Sequence, residues 1–415
     1  MPKQSNLDQL PPMSLRWLYL DLNSYFASVE QAERPELQGR PVAVVPMMAD
    51  TTCCLAASYP AKARGVRTGT SIRDARRMCP GIVFVKADHR KYVRYHKRIV
   101  DTVDLHLPVK KVLSIDEMAC ELMGRECDEQ FVRTKSRELK SAIAEISPAL
   151  TCSIGVAPNR YLAKVASDMQ KPDGLTILHQ HELIARLSRL EPRDFPGIGP
   201  RMEERFHERK CFTATHLFSL SEREMASIWG GVVGERFFHL IRGQNLPEED
   251  HERSSISHSK VLPPDARSLE AAWPVAVRLL TKACVRLRSE RLYAKDLWLS
   301  MKFLDRDPAK RKWHRRAKCF ETRDSLHLIE ELEKMWREVP QRTILRVGIA
   351  LSGLIPEQHH QISLFEDHKR EALMSALDAV NGKFRDGTMF VADSFAARAT
   401  ATNAIAFQRI PGEQE

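Results

Sequence analysis

Asp116 and Glu117 stand side by side inside Val109–Met123, a run of otherwise strand-like residues. A carboxylate without a partner in a β-rich core carries a desolvation cost of several kcal/mol. Acids flanked by Leu113, Ile115 and Met118 therefore call for basic partners or for a metal. Asp21 supplies a third carboxylate. It sits near the end of the apolar run Leu18–Leu22, just before Ser24–Glu30, which reads as a helix start. Three oxygen donors at strand ends suit Mg²⁺, a hard cation that takes oxygen ligands. A plainer arrangement uses the same residues: Asp21 caps the following helix, and Asp116 and Glu117 lie in a solvated hairpin turn. Spacing alone leaves both open.

These acids need a scaffold, and the chain is long enough for several. At 415 residues it exceeds one ordinary core and implies two to four domains. A hydrophobic content of 43% with 28% charged residues is that of a soluble globular protein. No stretch approaches the roughly 20 apolar residues of a membrane span, and no secretory apolar segment is visible. The nine cysteines show no paired CxxC spacing, which points to reduced cytosolic thiols rather than a zinc site or a disulfide framework. The formal charge of +10 suits a polyanionic partner without demanding one.

Three segments in order decide between the readings: Leu20–Glu30, Ser114–Glu117, and Cys152–Gly174 with its Ala157-Pro158-Asn159-Arg160-Tyr161-Leu162-Ala163-Lys164 core. Together they closely resemble the Y-family translesion DNA polymerases, most nearly the DinB or DNA polymerase IV branch over residues 15–245. After residue 357 the chain is more similar to the UmuC and ImuB relatives. The resemblance implies an α+β multidomain chain with a right-hand polymerase fold. After a loose arm (1–14), its palm is formed by 15–24 and 90–178, with fingers at 25–89 and a helix-hairpin-helix thumb at 179–243. A linker (244–255), an α/β little finger (256–356) and a tail (357–415) follow. The implied palm is an antiparallel sheet backed by helices.

The implied reaction is template-directed addition of deoxynucleotides to a primer 3′ end during damage tolerance. Two Mg²⁺ ions would be held by Asp21, Asp116, Glu117 and the Leu22 carbonyl. Successive strand residues face opposite sides, so Asp116 and Glu117 share one site only if their hairpin bends or bulges there. The resemblance places Tyr59, Lys62 and Lys171 on the triphosphate, assisted by the backbone around Ser24 and Tyr25, and makes Phe26 the gate against ribonucleotides. Lys62 stands where the family commonly has Arg, which keeps the charge but loses bidentate geometry. Asn23 stands where many relatives have a second Asp. The rival reading is a catalytically inactive, clamp-tethered DNA-binding scaffold like ImuB, whose branch typically lacks the metal acids. A nucleotide cyclase fits less well, given the helix-hairpin-helix turn.

Further motifs concern DNA and partners. Phe195-Pro196-Gly197-Ile198-Gly199-Pro200, between helical segments, matches a helix-hairpin-helix turn whose N–H groups suit a phosphate. In the second half, Leu269–Leu292 and Leu326–Val339 read as helices, and Asp296–Leu304, Ala317–Glu321 and Ile344–Ser352 as strands. Lys310, Arg311, Lys312, Arg315 and Arg316 crowd a basic hairpin between two of these strands, placed to bind phosphate. Beyond the last strand, Gln361-Ile362-Ser363-Leu364-Phe365 resembles the peptide that binds the bacterial sliding clamp. Glu371–Asn381 reads as an amphipathic helix, and residues 393–415 carry no readable signal. The expected partners are primer-template DNA, deoxynucleoside triphosphates and the clamp, for a monomeric cytoplasmic protein.

Overall fold

The computed structural model describes residues 15–50, 52–247, 254–361, 368–384 and 388–397. They fall into two compact units, one up to residue 247 and one from residue 254.

The first unit runs β1 (Trp17–Leu22), α1 (Tyr25–Glu33), β2 (Val42–Val45), β3 (Ala56–Ala57), α2 (Tyr59–Lys62), α3 (Ile72–Met78), β4 (Val83–Lys86), α4 (His89–His106), β5 (Lys111–Val112), β6 (Glu117–Glu121), α5 (Glu129–Ile146), β7 (Cys152–Ala157), α6 (Arg160–Met169) and β8 (Leu175–Ile177), then α7 (Leu183–Leu187), α8 (Pro200–Glu208), α9 (Ala214–Ser219), α10 (Glu222–Trp229) and α11 (Val232–Ile241). Its main sheet has the order β5-β6-β1-β7-β8. The sheet is mixed rather than wholly antiparallel, because β8 returns parallel to β7 after the crossover through α6. All six residues of β1 are buried, as befits a central strand covered on both faces. Helix α6 packs on the face that carries Trp17 and Tyr19. Leu18 and its cross-strand partner Cys120 face the other side, where Cys120 Sγ bonds the Leu107 carbonyl at the end of α4.

Caps set where the long helices start. Asp88 accepts from the Arg90 and Lys91 amides before α4, and Asp128 from those of Gln130 and Phe131 before α5. Asn159 caps α6 through Oδ1 while its Nδ2 donates to the carbonyls of Leu240 and Gln244. A small second sheet, β3-β2-β4, joins α1 and α2. Helices α8 to α11 share one core with α6, in which Phe195, Phe206 and Phe237 meet Leu162 and Val165. Trp17 Nε1 donates to Asn245 Oδ1 at 3.0 Å, so the first residues expected in a linker are instead bound into this unit.

The second unit contains β9 (Ser255–Val261), α12 (Leu269–Ser289), β10 (Leu292–Phe303), β11 (Lys312–Thr322), α13 (Ser325–Trp336), β12 (Ile344–Ser352), β13 (Ile355–Pro356) and α14 (His368–Phe384). The antiparallel sheet β11-β10-β12-β9 buries Leu297, Leu299, Met301, Val347, Ile349 and Leu351 against α12 and α13. Two expectations change here. The basic run is not a loop between strands, because β11 begins at Lys312 and carries most of it. Nor does the chain leave the unit at residue 357. Arg288 on α12 holds Asp378 on α14 through two bonds of 2.6 and 2.9 Å, Met374 is buried, and Ala392–Ala397 packs back on α12.

Candidate active site

Strand pairing does the first part of the assembly. Asp21 on β1 lies directly opposite Glu117 on β6, so the two side chains share a face. Asp116 is one residue before β6, in a bend, and its carbonyl accepts from the Leu22 amide at 2.8 Å. This bend meets the condition set by strand alternation, because only Glu117 belongs to the regular strand. His96 on α4 supports it from behind, its Nδ1 donating to the Ile115 carbonyl at 2.8 Å. Ser114 Oγ donates to Asp116 Oδ1 at 2.5 Å.

Two lysines face the acids. Lys164 Nζ lies 2.6 Å from Asp21 Oδ2 and 2.6 Å from Glu117 Oε1. Lys171 Nζ lies 2.7 Å from Asp21 Oδ2 and 2.7 Å from Asp168 Oδ1. Burial by itself raises the Asp21 carboxyl, but the charges of Lys164 and Lys171 prevail and hold it below the ordinary range. Asp116 goes the other way. Burial pushes its carboxyl up, and the neighbouring charges of Asp21 and Glu117 push with it, against the Ser114 bond. Tyr19, on the same face of β1 as Asp21, donates to Glu117 Oε2 at 2.9 Å. Burial and that charge push its hydroxyl well up.

Among the described residues no three acidic, histidine or cysteine side chains converge closely enough to hold an ion as they stand. The donor set nevertheless fits a hard cation, because the side chains of Asp21, Asp116 and Glu117 offer only carboxylate oxygen.

Beside the acids the chain turns sharply. Ser24 has φ 50°, a left-handed conformation that is strained for a residue with a Cβ, and its Oγ is buried with no hydrogen-bond partner among the described residues. It precedes the N-terminus of α1, where backbone N–H groups suit an anion. Tyr59 stands nearby, its hydroxyl pushed up to about 12 by burial and the charge of Asp21. The Ser24 hydroxyl moderates that rise without reaching hydrogen-bond geometry. Lys62 Nζ sits 4.6 Å over the Tyr59 ring. Burial lowers its ammonium, and the positive charge of Lys171 lowers it further. Two cations held close enough to repel favour an anion between them.

The Tyr25 side chain is excluded from that role, because its hydroxyl is spent on the Tyr92 carbonyl at 2.6 Å in the core. Any contact from Tyr25 comes from its backbone. Phe26 is 4% exposed, its ring braced 4.6 Å from that of Tyr92. Asn23 is a clasp: Nδ2 donates to Ser153 Oγ at 3.0 Å while Oδ1 accepts from the Asp173 amide at 2.8 Å. The amide thus uses both its donor and its acceptor. It also fixes the turn that follows Lys171.

The DNA candidates divide. Gly197 has φ 98° in the turn before α8, and Gly199 precedes Pro200 at the first helical position, a helix N-terminus open to a phosphate. On β11, Trp313, Ala317 and Cys319 pack on the core, so Lys312, His314, Arg316 and Lys318 point to the opposite face. Register places Lys302 and Arg346 on that face too, around Ser300 and Gly348. Of the five cations read from sequence, Arg315 faces α13 and pairs with Glu338 at 2.7 Å, and Arg311 bonds the Asp305 carbonyl at 2.8 Å. Arg316 pairs with Asp296 at 2.8 Å, and Lys310 lies 3.7 Å from Asp307. Lys312 is exposed on the open face. Of the pentapeptide, Gln361 is described, its amide donating to Glu321 Oε2 at 3.2 Å. Ile362, Ser363, Leu364 and Phe365 lie outside the described residues.

Sequence reasoning left Lys164, Asp168 and Tyr19 without roles. A helical reading would have found the first two, since Lys164, Asp168 and Lys171 follow at i, i+4 and i+7 on one face. The two-residue period of β1 would have put Tyr19 beside Asp21.

This architecture is that of the right-hand polymerases. The chain superposes with a TM-score of 0.68 on a Y-family DNA polymerase chimera of Dbh and Dpo4, at 22% identity, covering 82% of this chain and 99% of that one. A Dbh DNA polymerase in an insertion ternary complex matches with a TM-score of 0.53, at 23% identity, over 82% of this chain and 99% of that one. Family models described as the impB/mucB/samB family and its C-terminal domain match residues 20–168 and 253–364. The DNA polymerase IV of Moorella thermoacetica is 32% identical over 380 residues, 88% of this chain and 93% of its own. DNA polymerase IV 1 of Bacillus subtilis is 27% identical, over 96% of this chain and 99% of its own. The chain belongs to the impB/mucB/samB family, the DinB-like branch of the Y-family.

Proposed function

We propose that this chain is a DNA-directed DNA polymerase of the translesion type, extending a primer 3′ end on a template strand. The observation that carries the reading is the gathering of Asp21, Asp116 and Glu117 at the ends of adjoining strands, with Lys164 and Lys171 against them. A primer-extension assay with Mg²⁺ and the four deoxynucleoside triphosphates tests it, and no extension under any divalent ion would sink it.

On this reading residues 15–24 and 90–178 form the palm, 25–89 the fingers and 179–243 the thumb. The little finger begins at 256, after the linker expected at 244–255, whose first residues bind the first unit, and it extends past the expected end at 356 to take in α14 and Ala392–Ala397. The primer 3′ oxygen bonds to the α-phosphorus of the incoming nucleotide while the bond to pyrophosphate breaks. Two Mg²⁺ ions held by Asp21, Asp116, Glu117 and the Leu22 carbonyl would activate that oxygen and offset charge on the triphosphate. Lys62, Lys171, Tyr59 and the Ser24 hydroxyl bind the triphosphate, along with the amides at the start of α1. The resulting fixed positive charge also screens the developing negative charge of the leaving group.

Phe26, buried with its ring tilted against that of Tyr92, closes the space that a ribose 2′-hydroxyl would need. Phe26→Ala should raise ribonucleotide incorporation on the order of a hundredfold while deoxynucleotide use stays within a few-fold. Single-nucleotide kinetics with paired dNTP and rNTP measure it, and unchanged selectivity would place the gate elsewhere.

DNA is held through phosphates at Gly197 and Gly199 and on the open sheet face of the second unit. Replacing Lys302, Lys312, Lys318 and Arg346 together should reduce the slope of log affinity against log salt by roughly three to four units. Replacing Arg311 and Arg315 instead should leave the slope nearly unchanged, since both are occupied within the fold. A flattened slope in the second variant alone would return the contact to the turn and the opposite face.

The protein acts as a cytoplasmic monomer, with Gln361–Phe365 as its contact to the sliding clamp. Extension on a clamp-loaded circular template, with Leu364 and Phe365 changed to Ala, tests that contact, which fails if the clamp stimulates the variant as fully as the native chain. No observation favours the catalytically inactive scaffold.

A further inference from the structure

Lys164 is the unassigned charge at the centre of the site. Its ammonium touches Asp21 Oδ2 and Glu117 Oε1, each at 2.6 Å, and reaches Asp168 Oδ2 at 3.2 Å. Mg²⁺ lies about 2 Å from its oxygen ligands. An ion bridging Asp21 and Glu117 would therefore need the space that Nζ occupies. Without any cation, the facing carboxylates of β1 and β6 would repel across a half-buried gap.

We propose that Lys164 is an internal counter-cation, a positioning residue that clamps Asp21 to Glu117 before ion uptake and withdraws to Asp168 as the ion enters. The inference rests on the metal reading above. Asp168 is suited to receive the ammonium because it lies one helical turn along α6, at i+4. The transfer therefore needs rotation about the four-carbon stem and no backbone movement. Lys171 already bridges Asp168 and Asp21, so positive charge is retained beside Asp21 when Lys164 leaves. The device keeps the acids aligned at the cost of weaker ion affinity in the free enzyme, since ammonium and ion compete for the same two oxygens.

The test is Mn²⁺ titrated into the full chain without DNA or nucleotide, with free ion read by electron paramagnetic resonance. Lys164→Met should tighten binding on the order of tenfold, the size of coupling expected when a competitor for a site is removed. Lys164→Arg should stay close to the native chain. Asp168→Asn should weaken binding several-fold, because the retreating ammonium loses its acceptor. Loss of a merely structural residue would weaken the site and could not tighten it. Unchanged or weaker binding in Lys164→Met, with Asp21→Asn abolishing binding, would overturn the counter-cation role and leave the metal reading standing. Mn²⁺ binding that Asp21→Asn does not alter would overturn the metal reading, and this inference with it. Asp168 is more exposed and tolerates substitution, so its variant decides the matter if Lys164→Met does not fold.

Discussion

Replacing Asp116 or Glu117 with Ala is expected to lower primer extension by on the order of a thousandfold or more while primer-template binding changes little. On the proposed roles the acids act on charge that develops in the transition state, whereas cations elsewhere hold DNA. Near-normal extension by either variant would exclude that residue from the chemistry. The electrostatics add a stability signature that separates the acids. The Asp116 carboxyl is raised by burial and by Asp21 and Glu117, so the folded chain binds that proton more tightly than the unfolded chain. Its contribution is present below the ordinary aspartate pKa and is lost as pH rises through the folded value. At neutral pH the ionised group is a cost. Asp116→Asn should accordingly raise the Tm of the metal-free protein, with the gap narrowing as the pH falls. Asp21 is held down by Lys164 and Lys171, which outweigh its burial, so its contribution is present at neutral pH and lost as pH falls through its lowered folded value. Asp21→Asn should lower the Tm. Melting curves from pH 4 to 8 decide this, and shifts of the same sign would mean that the site's charge balance has been misjudged.

Gly155→Ala should damage the first unit severely for a single added methyl. Gly155 lies on β7 under α6, and a Cβ there would fall on the Ala163 carbonyl oxygen and the Ser167 amide nitrogen, both backbone atoms. Backbone cannot swing aside as a side chain can, so α6 must lift from the sheet. We expect a loss of about 3 kcal/mol, the upper part of the usual range for overpacking. Extension should fall with it, because Lys164 rides on α6 and Lys171 just beyond it. Urea unfolding measures the first effect. Gly199→Ala, where a Cβ meets open space, is the control. An unchanged midpoint for Gly155→Ala would show that the helix can move away at little cost.

The sequence by itself determined which residues could do the chemistry. Asp21, Asp116 and Glu117 were legible because an acid in an apolar run is costly and therefore conspicuous, and the fold class followed from three motifs in order. The helices that became α12 and α13 were legible within a few residues, because an amphipathic period repeats several times over their length. The HhH turn around Gly197 was also marked, by glycines whose backbone freedom the turn uses.

Only the tertiary structure decided what each charge meets. Lys164 and Asp168 are ordinary helix-surface residues until α6 lies across β1 and brings an ammonium against Asp21 and Glu117. The backbone around Tyr25 was expected at the nucleotide, and only the structure showed where its side chain goes, with the hydroxyl donating to the Tyr92 carbonyl in the core. The basic run looked like a loop because charge masks the two-residue period of an edge strand. Pairing with β10 divided its cations between two faces, one where Arg315 pairs with Glu338 just after α13 and the other open. The segment after residue 357 read as a tail although its helix was legible, because its place is set by the Arg288–Asp378 pair, formed by residues far apart in the chain. Local pattern records which groups must be buried or charged. Partner choice depends on contacts between distant segments, and no short stretch of sequence carries that information.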